Sequence, residues 1–166
     1  MYGTYGKRAT RRCPCGWLGA AHKSCRCTPE QISRYQGKLS GPLLDRIDLH
    51  IEVPALGNGE LLAAPAGEAT DSIRGRCAAA RGISMARQGK ANQALQGKEI
   101  DIHAALADAG ARFLNTAAQR LGWSARATHR ALKVARTIAD LAGAPAVEVA
   151  HVAEAVQYRR GLGDAA

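Results

Sequence analysis

With 166 residues, of which 46% are hydrophobic, the chain is long and apolar enough for one ordinary domain or two small ones, and a wholly disordered protein is excluded. Aromatic residues are scarce (two tryptophans, four tyrosines and one phenylalanine), so an alanine-rich core buries little area per residue and predicts modest stability. A formal charge of +9 favours a polyanionic partner such as nucleic acid or nucleotide phosphates, although a surplus of solvated arginine would give the same balance.

The amino-terminal leader, residues 1–12, is basic and rich in glycine, and no apolar stretch follows that would make it a secretory signal. No apolar run elsewhere approaches the roughly 20 residues of a membrane-spanning helix. We therefore expect a cytoplasmic protein without a membrane partner, in which the five cysteines are reduced or bound to metal.

Two close cysteine pairs follow the leader and are candidate zinc ligands: Cys13 and Cys15, then Cys25 and Cys27. Four soft ligands in two pairs can surround a tetrahedral Zn²⁺. Common zinc ribbons have two residues inside each pair and this chain has one, so four small buried thiols, or an adventitious metal site, are the alternatives. His22 is a substitute ligand or a surface residue, and Cys77 is expected to pack in the core.

A helix N-terminus is predicted directly after the last of these cysteines. Thr28 can cap it, Pro29 suits its first position, and Gln31 completes a capping box. The helix is expected to run to about Tyr35.

Downstream of this helix, apolar residues first recur at every second position, and a segment with the composition of a linker follows. Apolar residues at every second position of 47–53 predict a β-strand with one buried face, which Pro54 ends. Glycine, asparagine and proline in 55–70 predict a linker.

From residue 71 onward the pattern is helical. Helices are predicted at about 71–88, 108–121, 124–142 and 147–158. The third is the clearest, since Ser124 can cap it and Gly143 can close it. Its predicted apolar face is formed by Ala131, Val134, Ala135, Ile138, Leu141 and Ala142. The first carries Gly75 and Gly82, each of which destabilises a helix by about 1 kcal/mol relative to alanine.

Two arginines are candidates for binding a phosphate. Arg46 follows a bend of small residues and precedes the predicted strand, where its guanidinium would be available at a sheet edge. A local ion pair with Asp45 or Asp48 is the alternative. Arg126 lies near the N-terminus of the clearest helix, where the helix dipole disfavours a cation unless an anion is close; a solvated side chain is the alternative.

Several strings, in order, resemble the YifB/ComM family of magnesium-chelatase-like AAA+ ATPases. They are Cys-Pro-Cys-Gly at 13–16, Cys-Arg-Cys-Thr-Pro-Glu at 25–30, Leu-Ser-Gly-Pro-Leu-Leu-Asp-Arg-Ile-Asp-Leu-His-Ile-Glu-Val-Pro at 39–54, Ser-Ala-Arg-Ala at 124–127, Val-Ala-Arg-Thr-Ile-Ala-Asp-Leu-Ala at 134–142, and Ala-Glu-Ala-Val-Gln-Tyr-Arg at 153–159. The resemblance spans residues 13–160, nearly the whole chain. This resemblance implies a ring-shaped DNA motor that uses ATP and Mg²⁺ and is linked to recombination and natural transformation.

The resemblance implies an α-rich α/β chain. Residues 13–54 would be the end of an AAA+ core with a cysteine-bearing insertion, 71–160 an all-α helical lid of the magnesium-chelatase C-terminal type, and 161–166 a tail. Arg46 would be the arginine finger that reaches the γ-phosphate held by a neighbouring subunit, and Arg126 the sensor-2 arginine of the lid.

The chain also departs from the family pattern. It contains no Gly-x-x-x-x-Gly-Lys-Ser/Thr and no acidic-ended strand before the cysteines, and arginines occupy positions 11 and 12, where relatives have the sensor-1 Asn-Pro. We therefore expect the carboxy-terminal part of an ATPase, which needs a subunit that bears the P-loop and does not hydrolyse ATP alone. The alternatives are a small zinc-knuckle protein that binds nucleic acid such as DNA, and a regulatory module that joins the ring of a full-length relative.

Overall fold

The structure, a computed structural model, describes residues 12–20, 23–38, 40, 45–51, 53, 59 and 67–159. Its chain divides into two compact units. The first comprises residues 1–44 and 52–65, and the second 45–51 and 66–166. No helix in the described ranges is both long and apolar enough to cross a membrane.

In the first unit, helix α1 (Pro29–Gln36) begins where the sequence predicts it. Thr28 Oγ1 accepts from the Gln31 backbone N–H at 3.3 Å, and the Gln31 side chain accepts from the Thr28 N–H at 3.1 Å. This reciprocal capping box is confirmed. None of the helix residues is buried, but the Gln36 side-chain amide donates to the Arg12 carbonyl at 3.0 Å and so joins α1 to the cysteine segment.

The second unit is helical. Its elements are α2 (Thr70–Gln88), a 3₁₀ turn (Asn92–Ala94), α3 (Lys98–His103), α4 (Asp108–Arg120), α5 (Ala125–Leu141) and α6 (Val149–Gln157). The four helices predicted between residues 71 and 158 are confirmed to within about two residues at each end. The 3₁₀ turn and α3 were not predicted, because they are too short to show a helical period.

Helix α5 lies at the centre of this unit. Its buried seam consists of Ala127, Ala131, Ala135 and Ala139. Packed against part of that seam are Leu114 of α4, and Val152, Ala155 and Val156 of α6. The buried face is rotated from the predicted one, since Leu141 and Ala142 are exposed. Alanine at every fourth position lets neighbouring helices approach closely, so the small residues and not the larger ones define the contact.

Helix α2 contributes little to this core. Residues 70–79 are all exposed, and Ala80 and Ser84 are its buried positions. Cys77 is exposed, so its predicted place in the core is wrong. Gly75 and Gly82 face open space, with no neighbouring atom within 4 Å of an added Cβ.

The strand predicted for 47–53 is wrong for the positions described there, 47–51 and 53, none of which is in a strand. A strand needs a neighbour to bond its backbone, whereas the His50 N–H here donates to the Tyr158 carbonyl at the end of α6, at 2.6 Å. Most of the expected buried face is exposed to solvent: 45% of Leu49, 67% of Ile51 and 83% of Val53. The α/β assignment is therefore corrected to helical for the part described; the AAA+ core segment and the predicted boundaries stay predictions.

Candidate functional site

The four cysteines at 13, 15, 25 and 27 come together. Their sulfur atoms all lie within 4.8 Å of one another. The Sγ–Sγ distances are 3.4 Å between Cys13 and Cys15, 3.7 Å between Cys13 and Cys25, and 3.5 Å between Cys15 and Cys25. Zn–S bonds of about 2.3 Å in a tetrahedron place sulfurs about 3.8 Å apart. The residues present therefore fit one tetrahedral metal ion.

Turns in the loop between the pairs bring the sulfurs to one point. The Gly16 N–H donates to the Cys13 carbonyl at 3.1 Å, and the Ala20 N–H donates to the Trp17 carbonyl at 3.1 Å. Gly16 has a φ of +82°, a conformation that a residue with a Cβ rarely adopts. His22, the substitute ligand, lies outside the described residues.

The four thiols do not titrate alike. The backbone N–H groups of Arg26 and Trp17 lower the pKa of Cys15 to about 6. The N–H of Cys27 lowers the pKa of Cys25, but burial and the neighbouring sulfurs outweigh it and raise the pKa to about 12. Once one thiol has ionised, its negative charge opposes ionisation of the neighbouring thiols. A bound cation would offset this repulsion and allow all four thiols to lose their protons.

Arg46 is exposed, and both aspartates proposed as its local partners make bonds to the helical unit. The Ser124 hydroxyl donates to the Asp45 carboxylate at 3.1 Å, and Asp48 forms an ion pair with Arg130. These contacts attach the segment that carries Arg46 to the start of α5.

Arg126 is the second residue of α5 and is exposed. Ser124 caps this helix as predicted, and its Oγ accepts from the Ala127 N–H at 3.2 Å. The same hydroxyl donates to Asp45, so Arg46 and Arg126 each lie within two residues of one hydrogen bond. The structure therefore brings the two segments together within one unit.

Sequence reasoning missed a buried polar network. The Asp140 carboxylate, on α5, is fully buried. It accepts from Arg87 at 2.6 and 2.9 Å, from Asn92 at 2.8 Å and from Arg136 at 2.8 and 3.1 Å. Arg136 also donates to two carbonyls of the loop after α5, at 2.8 and 3.1 Å. Its spacing of four residues from Asp140 is the signal that could have revealed the pair.

Comparison with known proteins covers both units. The profile of the family described as "Magnesium chelatase, subunit ChlI C-terminal" matches residues 67–159, and that of "Magnesium chelatase, subunit ChlI" matches residues 8–61.

Curated relatives match along most of this chain. It is 46% identical over 147 residues to the competence protein ComM of Haemophilus influenzae, and the matched region covers 88% of this chain and 28% of ComM. It is 45% identical over 135 residues to the uncharacterized protein YifB of Salmonella typhimurium, which covers 81% of this chain and 27% of that protein. An uncharacterized Mycobacterium tuberculosis protein is 36% identical over 156 residues, covering 92% of this chain and 30% of that protein. The chain thus spans under a third of these relatives, and it belongs to the magnesium-chelatase-like family that includes YifB and ComM.

Proposed function

We propose that this chain supplies Arg46 as an arginine finger and Arg126 as a sensor-2 arginine to an ATP site formed between AAA+ subunits. The observation that carries the proposal is the Asp45–Ser124 hydrogen bond, which holds the segments of both arginines in one compact unit. Two exposed arginine residues on linked segments are suited to a shared polyanion such as a triphosphate.

The chemistry expected of these residues is electrostatic. Phosphoryl transfer depends on positioning and on neutralising charge that develops on the γ-phosphate, and an arginine finger contributes about 10³- to 10⁵-fold in rate. The phosphates and Mg²⁺ would be held by a P-loop, a motif that these 166 residues do not contain. We therefore expect no hydrolysis of ATP by this chain alone.

The proposal is tested by a rescue assay. A full-length relative that carries a P-loop is prepared with alanine at its equivalent of Arg46, and ATP hydrolysis is measured with and without this chain. We expect the wild-type chain to raise the rate and Arg46→Ala to leave it low. Arg112→Ala is the matched control, because Arg112 is an exposed arginine on α4 away from both candidate arginines in sequence. Hydrolysis by this chain alone, or equal rescue by the Arg46→Ala variant, would contradict the proposal.

We further propose that the four clustered cysteines bind one Zn²⁺ with a structural role. Four thiolates complete the coordination of zinc and leave no open position for a substrate. The metal would hold the loop between the cysteine pairs and the start of α1 in place. None of the five cysteines forms a disulfide, which suits the reducing cytoplasm as the proposed location.

A second candidate function, binding of single-stranded nucleic acid, is favoured by the charge of the first unit. In residues 12–20 and 23–38 the charged side chains are five basic and one acidic: Arg12, Lys23, Arg26, Arg34 and Lys38 against Glu30. Both lysines lie over aromatic rings, Lys23 at 4.6 Å from Trp17 and Lys38 at 5.8 Å from Tyr35. Aromatic rings and basic side chains are what stacked bases and phosphates require.

The relationship to a competence protein makes DNA the polymer of choice for this second test. Binding of a fluorescent oligo(dT) without nucleotide, weakening steeply from 50 to 200 mM salt, would support it. Lys23→Ala and Trp17→Ala should each weaken binding, while Arg112→Ala should not. Binding that changes neither with salt nor with these substitutions would exclude nucleic-acid binding by this surface. A chain that inhibits an unmodified relative's hydrolysis without rescuing the alanine variant would instead indicate the regulatory module.

A further inference from the structure

The segment that carries Arg46, residues 45–51, is fastened to the helical unit at several points. Asp45 and Asp48 bond to Ser124 and Arg130 at the start of α5, as described above. At the other side, the His50 N–H donates to the Tyr158 carbonyl at 2.6 Å. Arg159 Nη1 donates to the carbonyls of residues 47 and 48, at 2.7 and 3.3 Å. We call this set of contacts the clamp.

Arg159 is an unusual member of the clamp because it is a buried cation. Only 6% of the residue is exposed, and its guanidinium carbon lies 5.7 Å from the centre of the Trp123 ring. It forms no ion pair with a carboxylate in the described ranges, and its Nε is buried without a hydrogen-bond partner there. Burial lowers the pKa of Arg159, partly offset by the nearby Asp48 carboxylate. A charge this buried makes strong bonds to the few acceptors it has, here two backbone carbonyls.

We propose that Arg159 is a positioning residue that fixes the backbone directly after Arg46, and that Arg130 assists it through Asp48. The inference rests on the proposed role of Arg46 at a phosphate. Both carbonyls that accept from Arg159 belong to the two residues that follow Arg46. The clamp therefore fixes the backbone from which the Arg46 side chain extends. A misplacement of about 1 Å at a reacting centre can lower the rate about 100-fold. Arg46 would then move as one body with the helices.

Amide hydrogen exchange tests the clamp without nucleotide or partner. The His50 amide is the reporter, because its hydrogen bond to the Tyr158 carbonyl joins the Arg46 segment to the end of α6. The α5 amides report on the stability of the fold. Arg159→Ala should speed exchange at His50 by about 10- to 100-fold, the effect of losing a hydrogen bond from a charged group, and leave α5 amides unchanged. Arg159→Lys should give an intermediate rate, since lysine keeps the charge but not the fork of donors. Exchange at the wild-type rate in Arg159→Ala would overturn the clamp.

The rescue assay then tests positioning. Arg159→Ala should lower kcat at least about tenfold with little change in the KM for ATP, because the lost interaction matters for the reacting geometry and not for nucleotide binding. Arg130→Ala breaks a partly exposed ion pair, so it should keep the fold and lower kcat by up to about fivefold. If Arg159→Ala does not fold, the kcat of Arg130→Ala tests the positioning role in its place. Arg112→Ala should match the wild type.

The two possible failures are distinguishable. Faster exchange at His50 with unchanged kcat in the Arg159 and Arg130 variants, while Arg46→Ala abolishes rescue, would overturn the positioning role and leave the proposed function standing. Full rescue by Arg46→Ala would overturn the proposed function, and this inference with it.

Discussion

Replacing Asp140 with alanine should destabilise the helical unit more than any other single charge removal in α5. The Asp140 carboxylate is fully buried and accepts five hydrogen bonds, two from Arg87, one from Asn92 and two from Arg136. Removing one partner of a buried ion pair costs about 3–5 kcal/mol, because the other charge is left uncompensated. Arg136 keeps two carbonyl acceptors and the side chain of Arg87 is 23% exposed, so we expect the low end, about 3 kcal/mol.

The assay is urea unfolding followed by far-UV circular dichroism, which reports mainly on the helices of the second unit. For a domain of this size a loss of about 3 kcal/mol lowers the urea midpoint by about 1–3 M. The matched control is Asp71→Ala, which removes an exposed ion pair with Arg74 and should cost below about 1 kcal/mol. Equal losses in the two variants would show that burial of the Asp140 network does not determine stability.

The same network predicts the direction of acid sensitivity. Burial opposes ionisation of Asp140, but the hydrogen bonds from Arg87 and Asn92 and the charge of Arg136 outweigh it and hold the pKa below its usual value. A carboxyl whose folded pKa is depressed stabilises the fold above its unfolded pKa, near 3.9, and that stability is lost as pH falls through the folded pKa. Asp140→Asn should therefore flatten the fall in stability below about pH 4, relative to the wild type. An unchanged acid profile would contradict this.

Four further substitutions, and zinc binding by the wild type, have definite expected outcomes. Gly75→Ala and Gly82→Ala should each raise the free energy of unfolding by about 1 kcal/mol, since both positions are helical and open; a loss on urea unfolding would contradict this. Ser124→Ala should lower it by about 1 kcal/mol through loss of the α5 cap, and an unchanged urea midpoint would count against that. One equivalent of Zn²⁺ should bind the wild-type chain, more weakly as pH falls because the thiols must release protons, and Cys15→Ser should bind less tightly; calorimetry with no such difference would argue against the site.

The helices could be read from the sequence because their signals are local. Thr28 and Ser124 cap the helices they were expected to cap, and the period of apolar residues locates α2, α4, α5 and α6. The rotation of the buried face of α5 could not be predicted from the sequence. Alanine is less hydrophobic than valine or isoleucine, so Val134 and Ile138 dominate the apolar pattern although the alanines form the buried seam.

Features set by distant contacts were not predictable. The period-two pattern at 47–53 indicates a strand only if a neighbouring strand is present, and in the described part the segment meets the end of α6 instead. The partners of Asp140 on α2 and on the 3₁₀ turn are 53 and 48 residues away in the chain, so spacing alone could suggest only Arg136. The cysteine cluster lies between these cases, because its ligands are close in sequence and the turns that join them are short.

Rescue of ATP hydrolysis is the decisive experiment for the roles of Arg46 and Arg126. We expect the wild-type chain to restore hydrolysis to a P-loop-bearing relative that lacks its own equivalent of Arg46, and the Arg46→Ala and Arg126→Ala variants not to restore it. Restoration by either variant, or hydrolysis by the isolated chain above a contaminant control, would contradict the claim that this chain contributes both arginines to a nucleotide site held mainly by another subunit.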